Sequence, residues 1–252
     1  MLAFCPTMAV SYLLRSASAS ADLREPEKKD RTLKRVVIPE LLDTDAGTPR
    51  EVADSLADLR FVNRAFGGAS TSLSLIRRAA RHTDQTNLSY LEVAAGSGDI
   101  PLFVQRKLKA QGITLDLTLL DRNASHLPTQ ATTVVGDALA LPFSDNTFDF
   151  AACSLFIHHL EPPAVFAFAR EALRVVRHGL LINDLIRHPL HLALVYAGMP
   201  LYRSRLTRHD APASVRRAYT PRELNTLLGN AGASRIELSH HYLFRMGVIL
   251  WK

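Results

Sequence analysis

Three acids sit at or near the ends of apolar runs of strand length: Glu92, Asp121 and Asp137. Glu92-Val93-Ala94-Ala95-Gly96-Ser97-Gly98-Asp99 closes the first run and opens a helical pattern. Small residues in such a bend let a ligand approach the backbone, and the helix start offers unpaired N–H groups. Asp121 ends the run Leu115 to Leu120, and a carboxylate at a strand tip can accept both hydroxyls of a ribose. Its interval from Gly98 is close to the ~20 residues expected between a glycine loop and a ribose-binding acid. Gly136-Asp137-Ala138 follows a third short run. There Asp137 can accept the exocyclic amine of an adenine while the Ala138 N–H donates to the ring. Each feature alone also reads as an ordinary turn or helix cap. Three in register point to an adenosine-bearing ligand.

A second set could act on a reaction partner. Ser154-Leu155-Phe156-Ile157-His158-His159-Leu160 follows a fourth run, and His158 and His159 are general-base candidates there. The competing reading is a pair of packing residues at a helix start. A fifth run leads into Asn183-Asp184-Leu185-Ile186-Arg187-His188-Pro189, then an apolar stretch from Leu190 to Tyr202, broken by Gly198 and Pro200. An insertion after a strand tip should overlie the site. Its apolar character suggests a hydrophobic acceptor, with core packing as the alternative. Arg203, Arg205, Arg208, His209, Asp210 and Arg216-Arg217 would suit an acidic or phenolate substrate, or a solvated face. His240, His241 and Tyr242 are further pocket candidates.

The elements that must position these groups follow from period and punctuation. Thr48-Pro49-Arg50-Glu51 is a helix start, with Val52, Leu56, Leu59, Val62, Asn63 and Phe66 on one side and Gly67-Gly68 at the end. A second helix runs from Ser70 or Thr71 to about Arg81. Strands are expected at 88–94, 114–120, 132–135, 147–156 and 180–185. Helices are expected at 99–111 and 163–176, with another starting at Thr220-Pro221. Two closing strands, 235–242 and 245–251, share a short turn and so should be antiparallel. Strand–helix alternation implies a doubly wound α/β fold, a mainly parallel seven-stranded sheet with an antiparallel C-terminal strand. The domain should span 36–252, with N-terminal helices at about 48–82 and a lid at about 187–219, behind a disordered leader at 1–35.

Glu92 to Gly98, Asp121, the run Gly136 to Asp149 and Ser154 to Leu160 resemble class I S-adenosylmethionine-dependent methyltransferases. The resemblance is to the ubiquinone/menaquinone-methyltransferase-like group of small-molecule enzymes, and covers about 88–185. It implies a Rossmann-like methyltransferase fold with S-adenosyl-L-methionine as cofactor. It implies that Glu92 orders the loop or meets the methionine amino end, and that Gly96 and Gly98 line the cofactor. Asp121 would hold the ribose, and Asp137 with Ala138 would read the adenine. Ala94, Arg122 and Ser154 complete the implied cofactor set, and the tip at 154–160 would face the transferable methyl. The family carries Gly where this chain has Ala94, so close approach there depends on the backbone avoiding the left-handed region. Pro101 stands where a dinucleotide fingerprint wants a third small residue, which argues against a nicotinamide dehydrogenase.

The resemblance implies O- or C-methylation of an apolar small molecule, aromatic, quinone-like or polyketide-like. The alternatives are a nucleic-acid or protein methyltransferase, or a cofactor-binding partner protein that has lost catalysis. No Asn-Pro-Pro-Tyr-type motif of amino-group methylation is present. The net charge of +6 is scattered rather than interleaved with aromatics, so no nucleic-acid partner is expected. No metal ion is expected. Two cysteines, Cys5 and Cys153, cannot build a disulfide framework. No apolar stretch reaches the ~18 residues of a membrane span, and Met1–Leu14 lacks the basic start of a signal peptide. A cytoplasmic protein is expected, monomer or homodimer, with peripheral membrane contact left open.

Overall fold

The computed structural model describes residues 33–44 and 46–252. The leader, the signal-like stretch and Cys5 lie outside the described residues, except for the leader's last three positions. Two of those three, Leu33 and Arg35, bond to later segments. Arg187 Nε donates to the Leu33 carbonyl at 2.5 Å. Arg35 Nε donates to the Arg217 carbonyl at 2.8 Å, and its guanidinium lies over the Tyr219 ring.

Strands β1 (Asn87–Val93), β2 (Thr114–Asp121), β3 (Thr132–Val135), β4 (Phe148–Ser154) and β5 (Val176–Leu185) pair in parallel. Strands β6 (Arg235–His241) and β7 (Arg245–Trp251) pair antiparallel with each other, and β7 pairs antiparallel with β5. The sheet order is β3-β2-β1-β4-β5-β7-β6, the doubly wound sheet expected from the alternation. Strand order reverses between β1 and β4, and a ligand crevice forms outside the carboxyl ends at such a point. The central strands are buried on both faces, as their near-continuous apolar runs require: Leu91, Phe150 and Ile182 are fully enclosed.

Two strand limits differ from expectation for local reasons. β4 stops at Ser154 because Leu155 turns to φ +58°. β5 starts at Val176, not Leu180, and so contains Gly179. A Cβ there would lie 2.5 Å from the Leu250 carbonyl, so only glycine lets β7 approach.

The flanking helices are α1 (Pro49–Ala65), α2 (Gly68–Thr83), α3 (Asp99–Lys109), α4 (Pro162–Val175), α5 (Pro189–Ala197), α6 (Arg205–Arg217) and α7 (Pro221–Leu228). Thr48 and Glu51 form a capping box at the start of α1, and Thr220 and Glu223 repeat it at α7. α2 begins at Gly68, earlier than expected, because Gly67 at φ 86° turns the chain directly into it. Within the expected lid, α6 is a full helix that the arginine-rich sequence does not announce.

The apolar stripe of α1 does not enter the core. Its buried side is polar: Ser55 Oγ bonds Thr207 Oγ1 of α6 at 3.0 Å, and Asp58 accepts the backbone N–H groups of Arg203 and Ser204 at 2.9 and 3.0 Å. Leu56, Leu59, Val62 and Phe66 stay half-exposed and face a cavity instead. Among the described residues, no helix is long and apolar enough to cross a membrane.

Candidate active site

One cavity of about 740 Å³ opens at the carboxyl ends of β1, β2, β4 and β5. That volume lies within the range of small-molecule sites. Two sets of residues meet in it.

The first set rims β1 to β3. Gly96 N–H donates to Asp121 Oδ2 at 2.8 Å, and Asn123 N–H to Oδ1 at 2.9 Å. Asp121 thus ties the glycine loop to the tip of β2. The Gly136 N–H donates to the Asp121 carbonyl at 3.1 Å, which brings Asp137 to the same edge. Glu92, Ala94, Gly96, Asp121, Arg122, Asp137, Ala138 and Ser154 all line the cavity. Gly98 does not. At φ +68° its Cβ would meet Leu119 Cδ1 at 2.9 Å, so this glycine seats the loop on the sheet rather than facing a ligand.

Ala94 lies in the left-handed region, at φ 55°. The condition under which its methyl group costs nothing is therefore not met, and the strain is about 1–2 kcal/mol. Gly96, at φ +51°, has nothing within 4 Å of where a Cβ would stand. A side chain there would project into the cavity, so the bend is a cradle kept clear by its glycine. Glu92 is 2 % exposed, and burial raises its carboxyl to about 7, against the hydroxyls of Ser154 and Tyr90. A carboxyl held near neutrality in a dry pocket is suited to a cationic amine. The donor set therefore fits S-adenosylmethionine: an acid for the amine, a carboxylate for the diol, and Asp137 with a neighbouring backbone N–H for a purine.

The second set stands at the tips of β4 and β5. His158 Nδ1 bonds Asp184 Oδ1 at 2.7 Å, and its backbone N–H donates to Asp184 Oδ2 at 3.1 Å. Its Nε2 lies 3.6 Å from Glu40 Oε1. Burial would lower the His158 pKa, but the Asp184 charge and hydrogen bond, with Glu40, outweigh it and raise the pKa to about 10. His158 is therefore an imidazolium between two carboxylates. His159 Nδ1 bonds Asp43 Oδ2 at 3.1 Å, and its Nε2 lies 3.8 Å from Glu40 Oε1.

Glu40 and Asp43 come from the segment before α1, which Asp210 holds down by accepting the N–H groups of Leu41 and Leu42 at 2.8 and 3.0 Å. Sequence reasoning passed over both acids. A lone acid inside the apolar run Val36–Leu42 was the available signal.

The remaining walls are largely apolar. Leu194, Val195, Leu201 and Tyr202 line the cavity together with Leu56, Leu59, Val62 and Phe66 of α1. The apolar stretch is thus not core packing; Leu190, Leu194, Tyr196 and Leu201 are all over two-fifths exposed. Of the basic run after it, Arg217 alone reaches the cavity, and it is bound to the His159 carbonyl at 2.6 Å. Arg203, Arg205 and Arg208 lie on the exposed face, Arg205 paired with Glu51 at 2.5 Å. His240, His241 and Tyr242 do not line the cavity. Arg245 does, although nothing in the sequence marked it. It is 2 % exposed, its Nη2 donates to Asn63 Oδ1 at 3.2 Å, and among the described residues its Nη1 has no hydrogen-bond partner. Burial lowers its pKa to about 10.

Residues 91–179 match the family model described as a methyltransferase domain. The ubiquinone/menaquinone biosynthesis C-methyltransferase UbiE of Dinoroseobacter shibae is 39% identical over 99 residues, covering 35% of this chain and 38% of that protein. The enzyme of the same name from Rickettsia bellii is 32% identical over 109 residues, covering 38% of this chain and 43% of that protein. The chain thus spans less than half the length of these curated relatives. A solved plantazolicin methyltransferase, BpumL, in complex with a monoazolic desmethylPZN analog and SAH, superposes with a TM-score of 0.63. It is 14% identical and covers 84% of this chain and 94% of its own. A SAM-dependent methyltransferase from Archaeoglobus fulgidus gives 0.51 at 14% identity, with 76% of this chain and 98% of its own covered. At such identity the likeness is one of fold.

Proposed function

We propose that this chain, which carries a class I S-adenosylmethionine-dependent methyltransferase domain, transfers a methyl group to oxygen or carbon of an apolar small molecule, aromatic or quinone-like. The observation that carries the reading is the continuity of the cavity. Its polar rim at β1 to β3 opens into a chamber walled by Leu56, Leu59, Val62, Phe66, Leu194 and Leu201. The partial match to quinone C-methyltransferases supports the acceptor class.

S-adenosylmethionine, when bound, supplies an electrophilic methyl group on a sulfonium. Glu92 would take its amine, Asp121 its ribose, and Asp137 with Ala138 its adenine, while Ala94, Gly96, Arg122 and Ser154 line the same cradle. The chain's own work is then to align the acceptor and keep water out. The apolar faces of α1 and the lid exclude water.

His158 cannot take a proton while Asp184 and Glu40 hold it as an imidazolium. Its contribution is a fixed positive charge beside the place where the acceptor turns negative. An acceptor with an acidic hydroxyl or acidic carbon needs no more. His159 lines the cavity beside it, oriented by Asp43. Among the described residues Cys153 is buried and unpaired, and a cytoplasmic setting is part of this proposal.

The test is transfer of labelled methyl from S-adenosylmethionine to a panel of phenols, quinones, RNA and protein. Label on phenols or quinones is the expected result. Label on RNA or protein alone would reject the acceptor class, and no label with intact cofactor binding would point to a non-catalytic partner protein.

A further inference from the structure

We infer that Glu40, His158 and His159 form a binding site for one divalent cation of the zinc class, opening on the acceptor side of the cavity. Each of the three residues offers one potential ligand atom, and the three atoms lie within 4.8 Å of one another. The separations from Glu40 Oε1 are 3.6 Å to His158 and 3.8 Å to His159, both beyond hydrogen-bond reach. Three potential ligand atoms therefore lie close together, with both separations from Glu40 longer than a good hydrogen bond. Ligands at ~2.0–2.1 Å in a tetrahedral shell stand about 3.4 Å apart, so the two separations from Glu40 need a contraction of a few tenths of an ångström. His159, whose side chain is 21% exposed, has the room to provide it.

What surrounds the three groups points the same way. A ligating histidine typically engages its remote ring nitrogen with a carboxylate, which fixes the tautomer and ring plane. Both histidines do so here: His158 Nδ1 on Asp184 at 2.7 Å and His159 Nδ1 on Asp43 at 3.1 Å. With Nδ1 so engaged, Nε2 is the atom left to coordinate. The candidate carboxylate is braced too, since Ser214 Oγ donates to Glu40 Oε1 at 2.9 Å. Six residues from four separate segments cooperate in holding these three groups together.

Three carboxylates (Asp43, Asp184 and Glu40) and two imidazoles meet here, with the Arg217 guanidinium 3.8 Å from Asp43 and the buried Arg245 interacting with Asp184. Two imidazoles and one carboxylate suit zinc, cobalt, iron or nickel rather than magnesium or calcium. The three ligands leave positions open toward the cavity, where an oxygen of the acceptor fits as a further ligand. That use rests on the methyltransferase reading. Binding of the ion does not, and can be measured without turnover.

The experiment is a titration of the full chain, stripped with a chelator, with Co²⁺ followed by visible absorption and with Zn²⁺ followed by calorimetry. One equivalent should bind, with a ligand-field band in the visible. His159→Ala and Glu40→Gln should each weaken binding tenfold or more, while S-adenosylmethionine affinity, measured in parallel, stays within about threefold. Circular dichroism of each variant checks the fold. No binding in the unsubstituted chain overturns the proposal. So does equal binding by both folded variants, which would place the ion elsewhere, or a preference for Mg²⁺. Loss of S-adenosylmethionine binding in the unsubstituted chain would instead sink the methyltransferase reading and leave the cation site standing.

Discussion

The two ends of the cavity are built differently. At the β1 to β3 end, neighbouring strand tips carry the acids, and backbone N–H groups tie them together: Gly96 donates to the Asp121 carboxylate and Gly136 to the Asp121 carbonyl. At the other end the groups come from residues 40–43, 158–159, 184, 217 and 245, and their side chains bond His158 to Asp184, His159 to Asp43, Arg217 to the His159 carbonyl and Arg245 to Asn63 of α1. The first end is a local device, in which each strand's exit supplies one ligand contact. The second is a junction of distant segments whose charges must balance after the chain has folded. Damage to the first should therefore appear in cofactor affinity, and damage to the second in stability and acceptor chemistry.

The largest test of that contrast is Asp121→Ala. Hydrogen bonds from two ribose hydroxyls to a charged acceptor contribute about 1.5–3 kcal/mol each, so S-adenosylmethionine affinity should fall by two to four orders of magnitude. Calorimetric titration measures this, and unchanged affinity would remove the ribose assignment. Asp184→Ala acts at the other end. It leaves the buried His158 without its principal counter-charge, and such removals cost about 3–5 kcal/mol. Chemical denaturation should register that loss. A loss under 1 kcal/mol would mean that the two ends are not built on different principles.

Glu92 offers a pH test of the first end. Burial holds its carboxyl at about 7 in the folded chain, against an ordinary 4.5. The folded state therefore favours the protonated acid. The burial cost is absent below pH 4.5, grows as pH rises toward 7, and levels off above, with a span of about 3 kcal/mol. Glu92→Gln should flatten this part of the stability–pH curve. Cofactor binding below pH 7 should also release protons as the amine draws Glu92 into its ionised form. Calorimetry in buffers of different ionisation enthalpy reads that release, and its absence would break the pairing of Glu92 with the amine.

The smallest effect sharpens the local picture. Ala94→Gly relieves the left-handed strain at φ 55°, offset in part by the greater freedom of glycine in the unfolded chain. A net gain of about 1 kcal/mol or less is expected in thermal or denaturant unfolding. A loss would show that the methyl group makes a contact worth more than its strain.

Much was legible before any coordinates. Apolar runs of strand length gave β1, β2, β3 and β7 to within a residue or two, and Thr-Pro starts gave α1 and α7. Acids at strand tips gave the rim of the cavity, because a strand fixes where its last side chain points and a parallel sheet gathers such tips at one edge. What failed, failed for tertiary reasons. The apolar stripe of α1 has the period of a core-facing helix, yet a cavity lies where a core was expected; periodicity reports an apolar neighbour and not whether that neighbour is packed protein or open space. The histidines were visible as residue types, but their protonation depends on Asp184 and Glu40, which arrive from a sheet tip and a strap held by Asp210. Electrostatic coupling acts through space over a few ångströms, and chain order carries no record of those distances until the fold has formed.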